Sequence, residues 1–81
     1  MKLFCTCFKR KSFDDRSGKW RTLYFAPIQA DVAHPVPDGY DWVFTFSAEV
    51  DTPAEFQPLV LAHAAKQKKG SLLVREIKKA W

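Results

Sequence analysis

The chain has few of the residues from which catalytic and metal sites are usually built. It contains only three glycines, two cysteines and two histidines. The glycines do not cluster, which excludes a glycine-rich loop that would hold a phosphate. Cys5-Thr6-Cys7 has a single intervening residue and no second ligand pair at similar spacing, unlike a zinc site. We therefore expect no bound metal and no cofactor.

Groups for nucleophilic catalysis are equally sparse. A nucleophile needs a base and an orienting group beside it, yet His34 lies in a proline-rich stretch and His63 in a predicted helix. Asp14 and Asp15 are adjacent acids in a polar loop, where carboxylates are usually solvated. His63 is predicted to lie at the boundary of the core. We expect a protein that is not an enzyme.

Long apolar runs are also missing, since none approaches the ~18–20 residues needed to cross a bilayer. The apolar stretch 3–8 is shorter than the ~7–15 residues of a secretory signal, and no small-residue cleavage site follows it. These features predict a cytoplasmic protein with reduced cysteines. Palmitoylation beside the basic run 9–11 is an alternative for Cys5 and Cys7. Their alternation on one strand face favours buried, unreactive thiols.

The chain does have a net positive charge and many aromatic residues. Its 81 residues carry a formal charge of +4, and 15% of them are aromatic. The length allows one domain, residues 1–81. Large rings supply much apolar area, so most of them are expected in the small core. The charge favours nucleic acid or an acidic protein surface as partner.

Alternating hydrophobicity predicts three strands. Residues 2–9 place Leu3, Cys5 and Cys7 on one face, and residues 19–30 alternate again until Pro27, which ends a strand or marks an edge. These two strands predict a hairpin over 2–30, closed by a polar loop at 11–18. Residues 31–41 are irregular. A third strand over 40–50 should carry Trp42 on the same face as Phe44 and Phe46.

A helix is predicted to follow. Thr52 to Glu55 form a capping box with Pro53 at the first helical position, Pro58 interrupts the pattern, and Gly70 is expected as the C-cap. Residues 71–81 are interpreted as a last strand, which makes 42–79 a β-α-β unit with parallel strands. The predicted fold is α+β: a small mixed four-stranded sheet in the order β-β-β-α-β, with one helix packed on one face.

The binding surface is expected on basic and aromatic residues of the hairpin and the chain end, because arginine and tryptophan are favoured interface anchors. Trp81 has an alternative position, folded back over the sheet edge. The candidate residues are Lys9, Arg10, Lys11, Trp20, Arg21, Arg75, Lys78 and Trp81.

Residues 40–78, read as an aromatic strand, an acid-capped helix and a basic strand, resemble small bacteriophage host-takeover and anti-defence inhibitors in size and element order. This resemblance implies a non-enzymatic interaction protein that inhibits or bridges a larger protein or protein–nucleic-acid assembly. The alternative is a protein that binds single-stranded DNA or RNA on a basic, aromatic sheet surface. An exposed sheet edge would also allow a homodimer.

Overall fold

The computed structural model describes residues 1–81, which form four strands and two helices. The elements are β1 (Lys2–Asp14), β2 (Lys19–Phe25), β3 (Ile28–Ala30), β4 (Asp41–Glu49), α1 (Pro53–Ala65) and α2 (Gly70–Ala80). The α+β class and the count of four strands are confirmed. No helix is long and apolar enough to span a membrane.

The sheet is built around β1 and is antiparallel throughout. β2 pairs with residues 8–14 of β1 and β3 with residues 3–5, while β4 pairs with residues 2–9. A strand has two edges, so β2 and β3 follow each other along one edge and β4 occupies the other. Pro27 lies in the break between β2 and β3, as predicted, because proline cannot donate to the ladder.

The predicted last strand is wrong: residues 70–80 form helix α2. Leu73 and Ile77 are buried four residues apart, together with Gly70, whereas Arg75 and Lys78 are exposed. This is the spacing of one helix face. Without that strand there is no parallel pair and no β-α-β unit, and the sheet is not mixed. Two helices, and not one, pack on the sheet.

Helix α1 begins where the sequence predicts. Thr52 is the N-cap and Pro53 the first helical residue, but the Thr52 side chain makes no capping bond. Glu55 reaches back instead and accepts the backbone N–H of Asp51 at 3.2 Å. The helix continues through Pro58 to Ala65.

Gly70 is not the C-cap of α1. Lys66 has that position, and Gly70 is the first residue of α2. A Cβ on Gly70 would overlap the carbonyl group of Ala65. Glycine is therefore required for the start of α2 to pack against the end of α1.

One layer of core lies between the sheet and the two helices. It joins Cys5 and Cys7 of β1 to the helical side chains and contains no charged group. The helix-side face of the sheet is thus the face of Cys5 and Cys7. The core residues are Leu3, Cys5, Cys7, Ala26, Phe44, Val50, Phe56, Val60, Ala64, Leu73 and Ile77.

A β-bulge in β4 changes the face of Trp42. Cys7 pairs with Phe44 but Phe8 pairs with Trp42, so Val43 is an extra residue on β4. Trp42 consequently leaves the face of Phe44 and Phe46, contrary to the prediction, and is 61% exposed. Its indole donates to the Thr45 hydroxyl at 2.9 Å.

Loop 31–40 contributes to a smaller aromatic cluster on the opposite face of the sheet. The ring of Phe8 stacks with those of Phe25 and His34 at 5.7 Å, and Tyr40 meets it edge-on at 5.4 Å. Both faces of β1 are therefore covered near Phe8, which is only 5% exposed.

Candidate functional site: a basic hairpin arm

The β1–β2 hairpin continues beyond the two-layer core. β1 was predicted to end at residue 9 but runs to Asp14, and β4 pairs with it only as far as Lys9. The molecule is accordingly elongated, with principal dimensions of 45 × 26 × 20 Å. We call residues 10–23, the part of the hairpin beyond the pairing with β4, the hairpin arm.

Asp14 organises the turn at the tip of the hairpin arm. Its carboxylate accepts the backbone N–H of Arg16 at 3.0 Å, and its carbonyl accepts the N–H of Gly18 at 2.8 Å. Gly18 has φ +68°, a conformation that favours glycine. The bond from Arg16 is the main cause that lowers the pKa of Asp14. Asp14 also lies 3.7 Å from the Arg21 guanidinium.

Two exposed rings form a pair near the tip. Phe13 and Trp20 are cross-strand partners, and their ring centroids are 5.4 Å apart in an edge-to-face arrangement. Phe13 is 49% exposed and Trp20 is 68% exposed. Large apolar groups gain free energy from burial, and neither ring contributes to the core cluster. Their position at the surface is therefore unexplained by folding alone.

The strand alternation divides the predicted site residues of the hairpin between two faces. The face that carries Cys5 and Cys7, on the helix side of the sheet, also carries Lys9, Lys11, Phe13 and Trp20. Arg10 and Arg21 lie on the opposite face. Arg10 is placed over the ring of Tyr40 at 5.6 Å, and Arg21 contacts Asp14.

The predicted site residues of the last segment do not join this group. Arg75 and Lys78 are exposed on α2, and Arg75 lies 3.8 Å from Glu76. Trp81 folds back to the sheet edge, where its indole donates to the carbonyl of Ala26 at 2.9 Å. The structure thus does not gather the eight candidates on one surface. It brings together Lys9, Lys11 and Trp20, and adds Phe13.

Charge is segregated along the chain. Residues 9–22 contain six of the 13 lysines and arginines but only two acids, a net charge of +4 that equals that of the whole chain. Residues 31–55 contain six of the nine acids and no lysine or arginine. Most of that acidic segment belongs to β4 and its flanks. The β2 edge of the sheet is therefore basic and the β4 edge acidic.

The two cysteines are free and fully buried. Burial raises the pKa of Cys5 to about 12 and that of Cys7 to about 11. A thiol in this state is a poor nucleophile, because the thiolate is the reactive form. The buried position agrees with the predicted strand role and leaves neither sulfur accessible to a lipid.

Neither histidine belongs to a cluster of chemical groups. The ring of His63 lies 5.0 Å from that of Phe44 and 4.9 Å from that of Phe46, at the predicted core boundary. His34 stacks on Phe8. No group of three or more His, Cys, Asp or Glu side chains is arranged to hold a metal ion.

Two open grooves flank the β2–β3 edge of the sheet. One, of about 480 Å³, is mainly apolar and lies at the Ala26–Ile28 break between His34 and Trp81. The other, of about 410 Å³, runs between β2 and α2 and is lined by Arg21, Thr22, Leu23, Tyr24, Glu76, Lys79 and Ala80.

Comparison with protein-family models, curated proteins and solved structures finds no match to this chain.

Proposed function

We propose that this protein is a non-enzymatic binding protein that docks on a larger protein or protein–nucleic-acid assembly through the hairpin arm, and thereby inhibits or bridges it. The observation that carries the proposal is the exposed Phe13–Trp20 pair, set among the cations of residues 9–22. An aromatic centre with a charged rim is typical of protein interfaces.

Burial of the Phe13–Trp20 pair in an interface would explain its exposure, which the isolated fold does not require. Both rings are exposed, and Trp20 is the most exposed large hydrophobic residue of the chain. Burying such a ring against a partner would contribute about 2–4 kcal/mol if it behaves as an interface anchor. The surrounding cations would steer the encounter with an acidic surface.

A role as a phage or mobile-element inhibitor remains part of this proposal. The resemblance to bacteriophage inhibitors depends on a final basic strand within residues 71–81, and helix α2 takes the place of that strand. Support for the proposal therefore comes from the hairpin arm and not from the element order.

Affinity capture from lysate tests the proposal with a matched pair of variants. Trp20 and Trp42 are similarly exposed, at 68% and 61%, but only Trp20 belongs to the hairpin arm. We expect the unmodified chain and Trp42→Ala to recover the same stoichiometric protein, and Trp20→Ala to lose it. Recovery of no protein by any of the three, or equal recovery by all three, would contradict docking through the arm.

Single-strand nucleic-acid binding is a second candidate, favoured by one observation. Lys9, Lys11, Phe13 and Trp20 share the helix-side face, which combines rings for stacking with cations for phosphates. Phosphate binding should weaken steeply with salt, in proportion to the contacts neutralised. An electrophoretic shift with an oligothymidylate would reveal it, and no shift at low salt would dispose of this candidate.

A further inference from the structure

The outer edge of β2 is a regular strand edge with no protein partner. β2 pairs only with β1, and its seven residues keep one uninterrupted register from Lys19 to Phe25. Every second residue of an edge strand directs its N–H and C=O groups away from its neighbour. Proline, which would block this edge, first appears at Pro27, after the strand has ended.

A groove gives access to this edge. The space of about 410 Å³ between β2 and α2 is lined by four consecutive β2 residues, 21–24, on one side and by Glu76, Lys79 and Ala80 on the other. Glu76 and Lys79 lie 3.7 Å apart and balance each other's charge. Consecutive strand residues point to opposite faces, so a groove lined by all four follows the backbone edge itself. Its charged β2 side chain is Arg21, and Lys19 precedes it on the same face.

The other open edge of the sheet is less suited to an added strand. β4 is interrupted by the bulge at Val43, and Asp41 and Glu49 stand at its two ends. Two copies of β4 paired symmetrically about Thr45 would place Asp41 opposite Glu49, and like charges directly opposite are destabilising. The β2 edge lacks both the bulge and the acids.

We infer that the partner adds an acidic, extended segment to the outer edge of β2, so that the sheet continues into the partner. This inference rests on the proposed function and specifies the chemistry of the partner. Main-chain hydrogen bonds would supply affinity, and alternate side chains would supply specificity. Acids are expected opposite Lys19 and Arg21, and apolar residues opposite Trp20 and Tyr24.

A designed peptide as long as β2 is the probe. It carries valine and threonine in alternation, two glutamates opposite Lys19 and Arg21, blocked ends and a fluorophore for polarisation. In an added strand only one of the two alternating sets of amides faces β2. Two further peptides therefore carry N-methyl groups on one set or the other. A fourth has the same composition with both glutamates moved to one end.

We expect the parent peptide to bind, and one N-methylated peptide to bind at least about tenfold more weakly, because it loses several main-chain hydrogen bonds. The other should bind within about twofold of the parent. Lys19→Glu and Arg21→Glu should each weaken binding. Lys78→Glu, the same charge change on α2 away from the groove, should not. Lys19 has no acid within ion-pair distance in the structure, but its cross-strand partner is Asp14, and Arg21 contacts the same carboxylate. Lys19→Gln and Arg21→Gln should therefore weaken binding as well, without the like-charge repulsion that glutamate would bring to the hairpin.

Absence of binding by the parent peptide, equal binding by both N-methylated peptides, or equal binding by the rearranged peptide would each overturn strand addition. A dimer in sedimentation experiments that the Arg21→Glu variant dissociates would show that the β2 edge binds a second copy of this chain. That result would also overturn the addition of a partner strand. These failures are distinct from failure of the proposed function. If the peptide does not bind but capture depends on Trp20, docking through the hairpin arm is still supported and only strand addition is contradicted. If capture does not depend on Trp20, the proposed role of the hairpin arm is itself contradicted.

Discussion

The indole Nε1 of Trp81 donates a hydrogen bond to the carbonyl oxygen of Ala26 at 2.9 Å, across 55 residues of sequence. The same carbonyl accepts a hydrogen bond from the Cys5 thiol at 3.8 Å. Ala26 lies at the break where Pro27 interrupts pairing between β2 and β3. The bond therefore attaches the end of α2 to the sheet edge at the break between β2 and β3.

Trp81→Phe should lower the free energy of unfolding by about 1 kcal/mol, because a ring remains but the carbonyl of Ala26 loses its indole donor and keeps only the weak thiol donor of Cys5. Trp81→Ala should cost more, since the apolar contact is lost as well. Urea denaturation measures both. Trp20→Phe is the control, because its indole makes no hydrogen bond with the protein and its replacement should leave stability unchanged. Equal effects at the two positions would contradict the role of the Trp81–Ala26 bond.

Gly70→Ala should destabilise the fold by about 1–3 kcal/mol, the usual cost of forcing atoms into a filled space. The added methyl group would overlap the carbonyl oxygen of Ala65, a backbone atom that cannot move independently of α1. Thermal unfolding followed by circular dichroism checks this. Ser71→Ala, at the next and exposed position of α2, should be nearly neutral. Higher stability of Gly70→Ala, as helix propensity alone would predict, would show that the two helices can separate at low cost.

Patterns tied to a single local cause were predictable from the sequence. Pro27 ends β2, Pro53 opens α1, and the aromatic alternation of 41–49 forms β4, because each depends on steric or burial rules within a few residues. The bulge at Val43 was not predictable, since it depends on how β4 pairs with β1. Its consequence, the outward position of Trp42, could not be predicted either.

The hairpin arm was underestimated for a different reason. Residues 10–14 show no hydrophobic alternation, because neither face of this part of β1 lies against the core, so the pattern of a half-buried strand is absent. The sequence consequently predicts a loop at Phe13. Helix α2 did carry a signal, Leu73 and Ile77 at helical spacing, but an eleven-residue helix with adjacent leucines and a valine also fits a short strand.

Thr6→Val should stabilise the protein by about 1 kcal/mol. Thr6 is 1% exposed, and its hydroxyl oxygen has no hydrogen-bond partner. Valine has nearly the same shape and removes a buried polar group that is not satisfied. Thr45→Val, at the directly paired position of β4, is the control, because the Thr45 hydroxyl accepts the indole N–H of Trp42 at 2.9 Å. If Thr6→Val were the more damaging change, the Thr6 hydroxyl would have to be bonded in solution.

Stability should fall as the pH rises above 9, because of the two buried thiols. Burial raises the pKa of Cys5 from 9.0 to about 12 and that of Cys7 from 9.0 to about 11. Between pH 9 and 11 the unfolded chain releases both protons while the folded chain retains most of them. Because the unfolded state then binds fewer protons, the free energy of unfolding decreases with pH, by about 1.4 kcal/mol per pH unit for each thiol.

Urea denaturation across this pH range measures the slope, and the double variant Cys5→Ala, Cys7→Ala is the reference. The variant should be less stable at neutral pH because it leaves cavities, but the slope above pH 9 should be much shallower than that of the unmodified chain. Burial also raises the pKa of Tyr24, so the variant keeps a slope of the same sign at higher pH. Two results would contradict this prediction: identical slopes in the two proteins, or rapid reaction of the native thiols with a disulfide reagent at neutral pH. Either would mean that Cys5 and Cys7 are accessible to solvent and that the core between the sheet and the helices is open in solution.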